Sequence, residues 1–153
     1  MTDLPPTDPG EPNESPERLL TEREESLCPC KSRLTYASCC QDYHTGKRKP
    51  QTAEALMRSR YSAYFFRRVG YLVDTHHPDT RTPSLKKELD KTVHNISWKF
   101  LTIVQTSKGG KEDSRGKVKF VADFYMEGEP GQIEEHSRFK KHKGSWRYLD
   151  DKG

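Results

Sequence analysis

The chain has little to build a core with. Of its 153 residues only 31 % are hydrophobic, against 33 % charged, and mean hydropathy is strongly negative at −1.05. A modest core concentrated in part of the chain is what such a composition supports. No apolar run is long enough to cross a bilayer, which excludes a helical membrane span as the basis of function. The N-terminus lacks a basic start and an apolar h-region, so it does not read as a secretory signal, and a reducing cytoplasm is the expected setting. No internal repeat is evident. Residues 1–26 are short of apolar side chains apart from Leu4, Leu19 and Leu20. They are expected to form a disordered, acidic, proline-rich tail with a turn of helix near Glu17–Glu25.

Cysteine is equally scarce, and its distribution is informative. All four cysteines, Cys28, Cys30, Cys39 and Cys40, fall within thirteen positions. Four thiolates suit one tetrahedral Zn²⁺, with two from a tight turn and two after a short loop. Disulfides between the near neighbours would close strained rings. Crossed pairs such as Cys28–Cys39 would need an oxidising compartment, and the spacing is not a common iron–sulfur pattern. His44 is the one nearby substitute ligand. The expected metal ligands are therefore Cys28, Cys30, Cys39 and Cys40, with Zn²⁺ as cofactor.

The formal net charge of +4 conceals an asymmetry. Residues 1–26 hold eight acidic and two basic side chains, which leaves the rest at +10 before any metal. Lys31, Arg33, Lys47, Arg48 and Lys49 flank the cysteines and are expected to form one basic surface. It is either ordinary solvated charge or a docking site for a protein partner, the ribosome or RNA.

Beyond Gln51 the pattern becomes helical. Thr52 is a suitable N-cap, and Ala53, Leu56, Met57, Tyr61, Tyr64 and Phe65 recur on one face. Short helices are expected over Val69–Thr75 and Ser84–Val93. From Ile96 the period becomes two. Ile96, Trp98, Phe100 and Val104 alternate along a first strand, and Val118, Phe120, Ala122, Phe124 and Met126 along a second. A hairpin turn over Gly128–Gly131, with Pro130 inside it, leads to a third strand over Gln132–His142. After a tight Lys143-Gly144 turn, Trp146 and Tyr148 share a face of a fourth. Helices followed by a meander predict an α+β fold, with about three helices on one side of about four antiparallel strands.

Arg60 falls in the middle of the helix's apolar face. Period two puts Glu135 and Ser137 on the same face as Ile133 and Phe139. A direct Arg60–Glu135 pair inside the core is therefore expected, unless a bulge shifts the parity.

Cys28-Pro29-Cys30, Ser32, Tyr36 and Cys39-Cys40 resemble the SEC-C zinc motif. Tyr43, Gly46, Leu56–Ala63, Thr75-His76-His77-Pro78, Phe120–Ala122, Glu135–Phe139, Gly144, Trp146 and Tyr148 resemble the YchJ family. The resemblance runs from about Leu27 to Asp150. It implies a zinc knuckle over 27–50 and a cone-shaped domain similar to nuclear transport factor two over 51–153. The motif's usual Gly-Ser-Gly-Lys reads Lys31-Ser32-Arg33-Leu34 here, so two glycines that permit φ > 0 are replaced and the loop's shape is put in question.

Two functions are compatible with these residues. One is a non-enzymatic binding or adaptor module acting through the knuckle, the cone, or both. The other is a small-molecule enzyme of isomerase, dehydratase or hydrolase type working inside the cone. Candidate pocket residues are Arg60, Tyr61, His77, Glu135 and Ser137; Asp123 and His136 are further acid–base groups.

Overall fold

A computed structural model describes residues 24–153. The expectations for the acidic tail and its helical turn lie outside the described residues, except for residues 24–26. A 3₁₀ turn, Tyr36–Ser38, leads into a short helix α1, Cys40–His44; then come α2 (Ala53–Phe65), α3 (Val69–Asp74) and α4 (Leu85–Asn95). Four strands follow: β1 (Ile96–Lys108), β2 (Arg115–Met126), β3 (Glu129–His142) and β4 (Ser145–Asp150). They pair antiparallel in chain order, with β1 and β4 at the edges.

Helix α2 is the central element. Thr52 caps it by accepting the Ala55 N–H at 3.0 Å, satisfying a donor the first turn leaves open. Ala53, Leu56, Met57 and Tyr61 pack on Leu101, Val118, Phe120, Ala122, Phe139 and Trp146 of the sheet. Ala63 packs instead on Leu72, Leu89 and Val93 of α3 and α4. Ser59 and Ser62 are fully buried on a third side, towards the cysteine segment. A helix buried on several sides needs small polar residues where backbones approach, which explains its weak amphipathicity. Phe65, expected on the core face, is 46 % exposed. It lies in the last turn, beside the edge strand and not over the core face.

The sheet corrects two further expectations. Register shifts between Trp98 and Phe100 and between Ile103 and Gln105 interrupt β1. Each inserted residue reverses the side-chain alternation, so Leu101 and Ile103 face the core, while Phe100 and Val104 are about half exposed. The β2–β3 hairpin turns at Glu127-Gly128, with φ of 53° and 82°, and Pro130 lies within β3 opposite Tyr125. Two consecutive positive φ values match the tight turn that suits strand twist. Lys143-Gly144 has the same form as expected, with φ of 52° and 82°.

The β1–β2 loop folds back onto the start of α2. The Gly109 carbonyl accepts the Ala53 N–H at 2.9 Å, and a Cβ on Gly116 would stand 2.4 Å from the Gly109 Cα. Neither position admits a side chain without moving backbone. Between β2 and β3 the register is unbroken from Arg115–Lys140 to Met126–Glu129, so the parity argument for Ile133, Glu135, Ser137 and Phe139 holds.

Candidate functional site

The cysteine segment is a compact knuckle. Leu27 bridges Thr35, and the Cys28 N–H donates to the Leu34 carbonyl at 2.8 Å. Lys31 and Arg33 have φ of 70° and 76°. They adopt the left-handed backbone that glycine favours, so replacing the motif's glycines has left the loop in a conformation costly for side-chain-bearing residues.

The four ligand sulfurs lie within 4.8 Å of one another, and all four residues are buried. Cys30 Sγ is 3.6 Å from Cys39 Sγ, and Cys39 Sγ is 3.8 Å from Cys40 Sγ. A tetrahedral ion with metal–sulfur bonds of about 2.3 Å would separate its ligands by about 3.8 Å. No disulfide joins them. Hydrogen bonds from Cys30, Cys39 and Cys40 hold the Cys28 thiol far below its ordinary range. Against the opposing contact with Cys28, bonds to Cys30 and Cys40 lower Cys39 to about 7, whereas the bond to Cys28 pushes Cys30 and Cys40 far up. Two of the four sulfurs thus resist ionising unless a cation is present. The donor set fits a soft-ligand metal ion.

The knuckle is bound tightly to α2. Ser62 Oγ lies 3.2 Å from Cys28 Sγ, and Arg58 Nη1 donates to the Cys30 carbonyl at 2.5 Å. The Tyr36 ring stacks against Phe66 with centroids 4.6 Å apart. His44 Nε2 is 2.8 Å from the Ser59 carbonyl, which can only accept, so Nδ1 accepts from the Tyr36 hydroxyl at 2.7 Å. Both His44 nitrogens are therefore engaged away from the sulfurs, and His44 is not a substitute ligand. Ser59 and Ser62, which form this seam, carry no sequence signal of it, since two serines three apart in a helix read as solvated.

The five basic candidates do not form one surface. Lys31 and Arg33 line a groove beside β1 with Leu27, Phe65 and Phe100, and the Lys31 ammonium sits 4.6 Å above the Phe100 ring. Lys49 reaches Ser145 at 3.3 Å on β4, the opposite edge strand. Arg48 pairs with Asp42 at 3.3 Å and covers the Tyr43 ring, and Lys47 is exposed. The knuckle spans α2, so residues close in sequence emerge at both edges of the sheet.

Between α2 and the concave face of the sheet lies a cavity of about 310 Å³. Arg60, Tyr61, Glu135 and Ser137 line it; His77 does not, and His76 takes that place. His76 and His77 diverge because this segment is extended, bridging to Tyr148. His77 is buried elsewhere, its Nδ1 accepting the Asp79 N–H at 3.0 Å. Asp123 accepts from Gln132 at 2.8 Å, and neither it nor His136 borders the cavity.

Arg60 and Glu135 both face the cavity, but no ion pair joins them. The Arg60 Nη1 donates to the Leu72 carbonyl at 2.9 Å and to Thr75 Oγ1 at 2.7 Å. Its guanidinium lies 4.7 Å from the centre of the Tyr148 ring. The end of α3 supplies a carbonyl that the helix leaves unused, and it holds the arginine away from the sheet. Glu135 has only Ser137 Oγ, at 3.5 Å, and burial pushes its carboxyl above the usual range, with Asp151 adding to the effect. Tyr61 Oη, His76 Nε2 and Trp98 Nε1 are buried and, among the described residues, have no hydrogen-bond partner. Burial lowers His76 to about 4 and raises the Tyr61 hydroxyl.

Residues 52–151 match the family described as YchJ, middle NTF2-like domain. A UPF0225 protein from Enterobacter sp. strain 638 is 40 % identical over 124 residues, covering 81 % of each chain. Another from Corynebacterium glutamicum is 43 % identical over 121 residues, covering 79 % of this chain and 92 % of the relative. Among solved structures, a SEC-C motif containing protein from Rhodopseudomonas palustris superimposes with a TM-score of 0.73 at 32 % identity, over 80 % of this chain and 94 % of its own.

Proposed function

This chain belongs to the YchJ family, and we propose that it is a cytoplasmic, zinc-stapled docking module rather than an enzyme built on its metal. The observation that carries the reading is the closure of the sulfur cluster: four buried ligands surround one point. A Zn²⁺ there would hold no water and offer no open position to a substrate, so its role would be structural. Cys28, Cys30, Cys39 and Cys40 would be its ligands, in a compartment that keeps thiols reduced.

The docking face would be the groove beside β1. Leu27, Phe65 and Phe100 are exposed there at 68 %, 46 % and 49 %, beside Lys31 and Arg33. An apolar floor with a basic rim suits a protein segment carrying apolar anchors and acidic flanks. Lys47, Arg48 and Lys49 would be bystanders to that contact.

Protein purified without added metal should contain about one equivalent of zinc; absence of metal from folded protein with four free thiols would refute the staple. Binding of an acidic amphipathic peptide should weaken strongly in Lys31→Glu/Arg33→Glu and little in Lys47→Glu/Arg48→Glu. Equal losses in both, or a preference for RNA with a steep salt dependence, would refute a protein-docking groove at β1.

A further inference from the structure

The cavity is bordered by a charge whose partners are two uncharged oxygens and the Tyr148 ring, with no anion among the described residues. Arg60 is 5 % exposed, and among the described residues no carboxylate comes within ion-pair distance of it. Both of its hydrogen bonds run from Nη1 and both go to uncharged oxygens, so the donors on Nη2 and Nε are not engaged. A guanidinium removed from water without an anion is unfavourable, and the cavity it borders is open to a molecule.

The rest of the wall specifies what that molecule would resemble. Tyr61, Tyr64, Trp98, Phe120 and Tyr148 contribute ring surfaces, and Trp98 stands edge-on to Tyr61, Tyr64 and Phe124. Against these faces three polar atoms, Tyr61 Oη, His76 Nε2 and Trp98 Nε1, have no partner. The indole N–H is a donor only, and the phenol can donate. Buried polar atoms are almost always hydrogen-bonded; of the five without a partner among the described residues, three belong to side chains that line this cavity. The volume, about 310 Å³, is at the small end for ligand sites.

We infer that the cone is a binding site for a small ring-bearing carboxylic acid, its carboxylate held by Arg60 and its ring seated among Tyr61, Trp98 and Tyr148. Glu135 does not cancel Arg60, because the two do not pair; its carboxyl has only Ser137 Oγ, at 3.5 Å. The site shares Trp98 with the docking groove, but Arg60 borders only the cavity and the site does not require the groove to be filled.

The two tryptophans make the test internal to one molecule. The Trp146 indole donates to the Gln51 carbonyl at 3.1 Å, whereas the Trp98 indole is unpartnered. The full, metal-loaded chain labelled with ¹⁵N should be titrated with benzoate, phenylacetate and 2-naphthoate, each beside its primary amide. At least one carboxylate should shift the Trp98 indole resonance saturably and leave that of Trp146 in place. Its amide should bind about tenfold more weakly or worse, as expected for loss of a charge-assisted contact. Arg60→Lys keeps a cation at the position and loses the guanidinium fork, so it should bind the carboxylate several-fold more weakly. The proposal is overturned if no carboxylate moves the Trp98 indole, if amides bind as tightly as acids, or if folded Arg60→Lys binds unchanged.

Discussion

The knuckle and the cone both bury groups that water would otherwise solvate, and they differ in how far those groups stand apart. In the knuckle four sulfurs crowd within 4.8 Å, close enough for one small ion to serve all of them. In the cone, Arg60 and Glu135 face a common cavity without pairing, and three further polar atoms are left unpartnered around it. A point charge cannot serve groups spread across a cavity, but an extended molecule can. The separation of buried polar groups thus decides whether a site calls for a metal or for an organic ligand.

The strongest way to break the contrast is to empty the knuckle. The sequence suggests that the helices and sheet would stand without residues 27–44, but Arg58, Ser59, Ser62 and Phe66 of the α2 segment are all engaged by the knuckle. Chelation, or Cys40→Ser, is therefore expected to destabilise the whole chain by several kcal/mol. Thermal unfolding should show one transition, lowered by roughly 10 °C or more. Two transitions, with the larger one unmoved, would show that the regions are independent.

A smaller effect sharpens the comparison from within the knuckle. Lys31→Gly with Arg33→Gly should relieve the left-handed strain at both positions and stabilise by about 1 kcal/mol. Denaturant midpoints would measure it. Loss of stability would mean that the Lys31–Phe100 contact outweighs the backbone strain, whereas a gain accompanied by weaker peptide binding would mean that the strain is maintained for docking.

The smallest effect belongs to Glu135. Its folded-state carboxyl lies above its ordinary value of 4.5, so the folded protein binds that proton more tightly than the unfolded chain does. This contribution is fully present below 4.5 and is lost as pH rises through the raised value. Glu135→Gln should accordingly be as stable as the parent in acid and more stable near neutrality, which urea titrations at several pH values would reveal. Equal loss at all pH values would mean that the carboxylate is paired after all.

Much of the fold could be read in advance where interactions are local. The Thr52 cap, the β2 alternation and the Lys143-Gly144 turn each depend on a few adjacent residues. β1 could not be read correctly, because its two bulges leave no mark in a run of apolar and polar residues. A regular alternation puts Phe100 and Val104 on the face of Trp98, and the bulges reverse it. Pro130 suggests a turn that Glu127 and Gly128 make without it. In the cavity, parity puts Glu135 on the inner face and helical spacing buries Arg60, but spacing does not tell that His76, and not His77, lines the wall.

The sequence by itself determined that four cysteines would converge, because within thirteen positions the chain has few ways to keep them apart. It also determined which face of β3 carries Glu135, since the side-chain period of a regular strand is two. Only the tertiary structure decided that Arg60 turns to the end of α3 and the Tyr148 ring instead of to Glu135. It alone split the basic residues between opposite edges of the sheet. A long side chain on a buried face can reach several oxygens, and which one it takes depends on how distant elements pack, which no local spacing encodes.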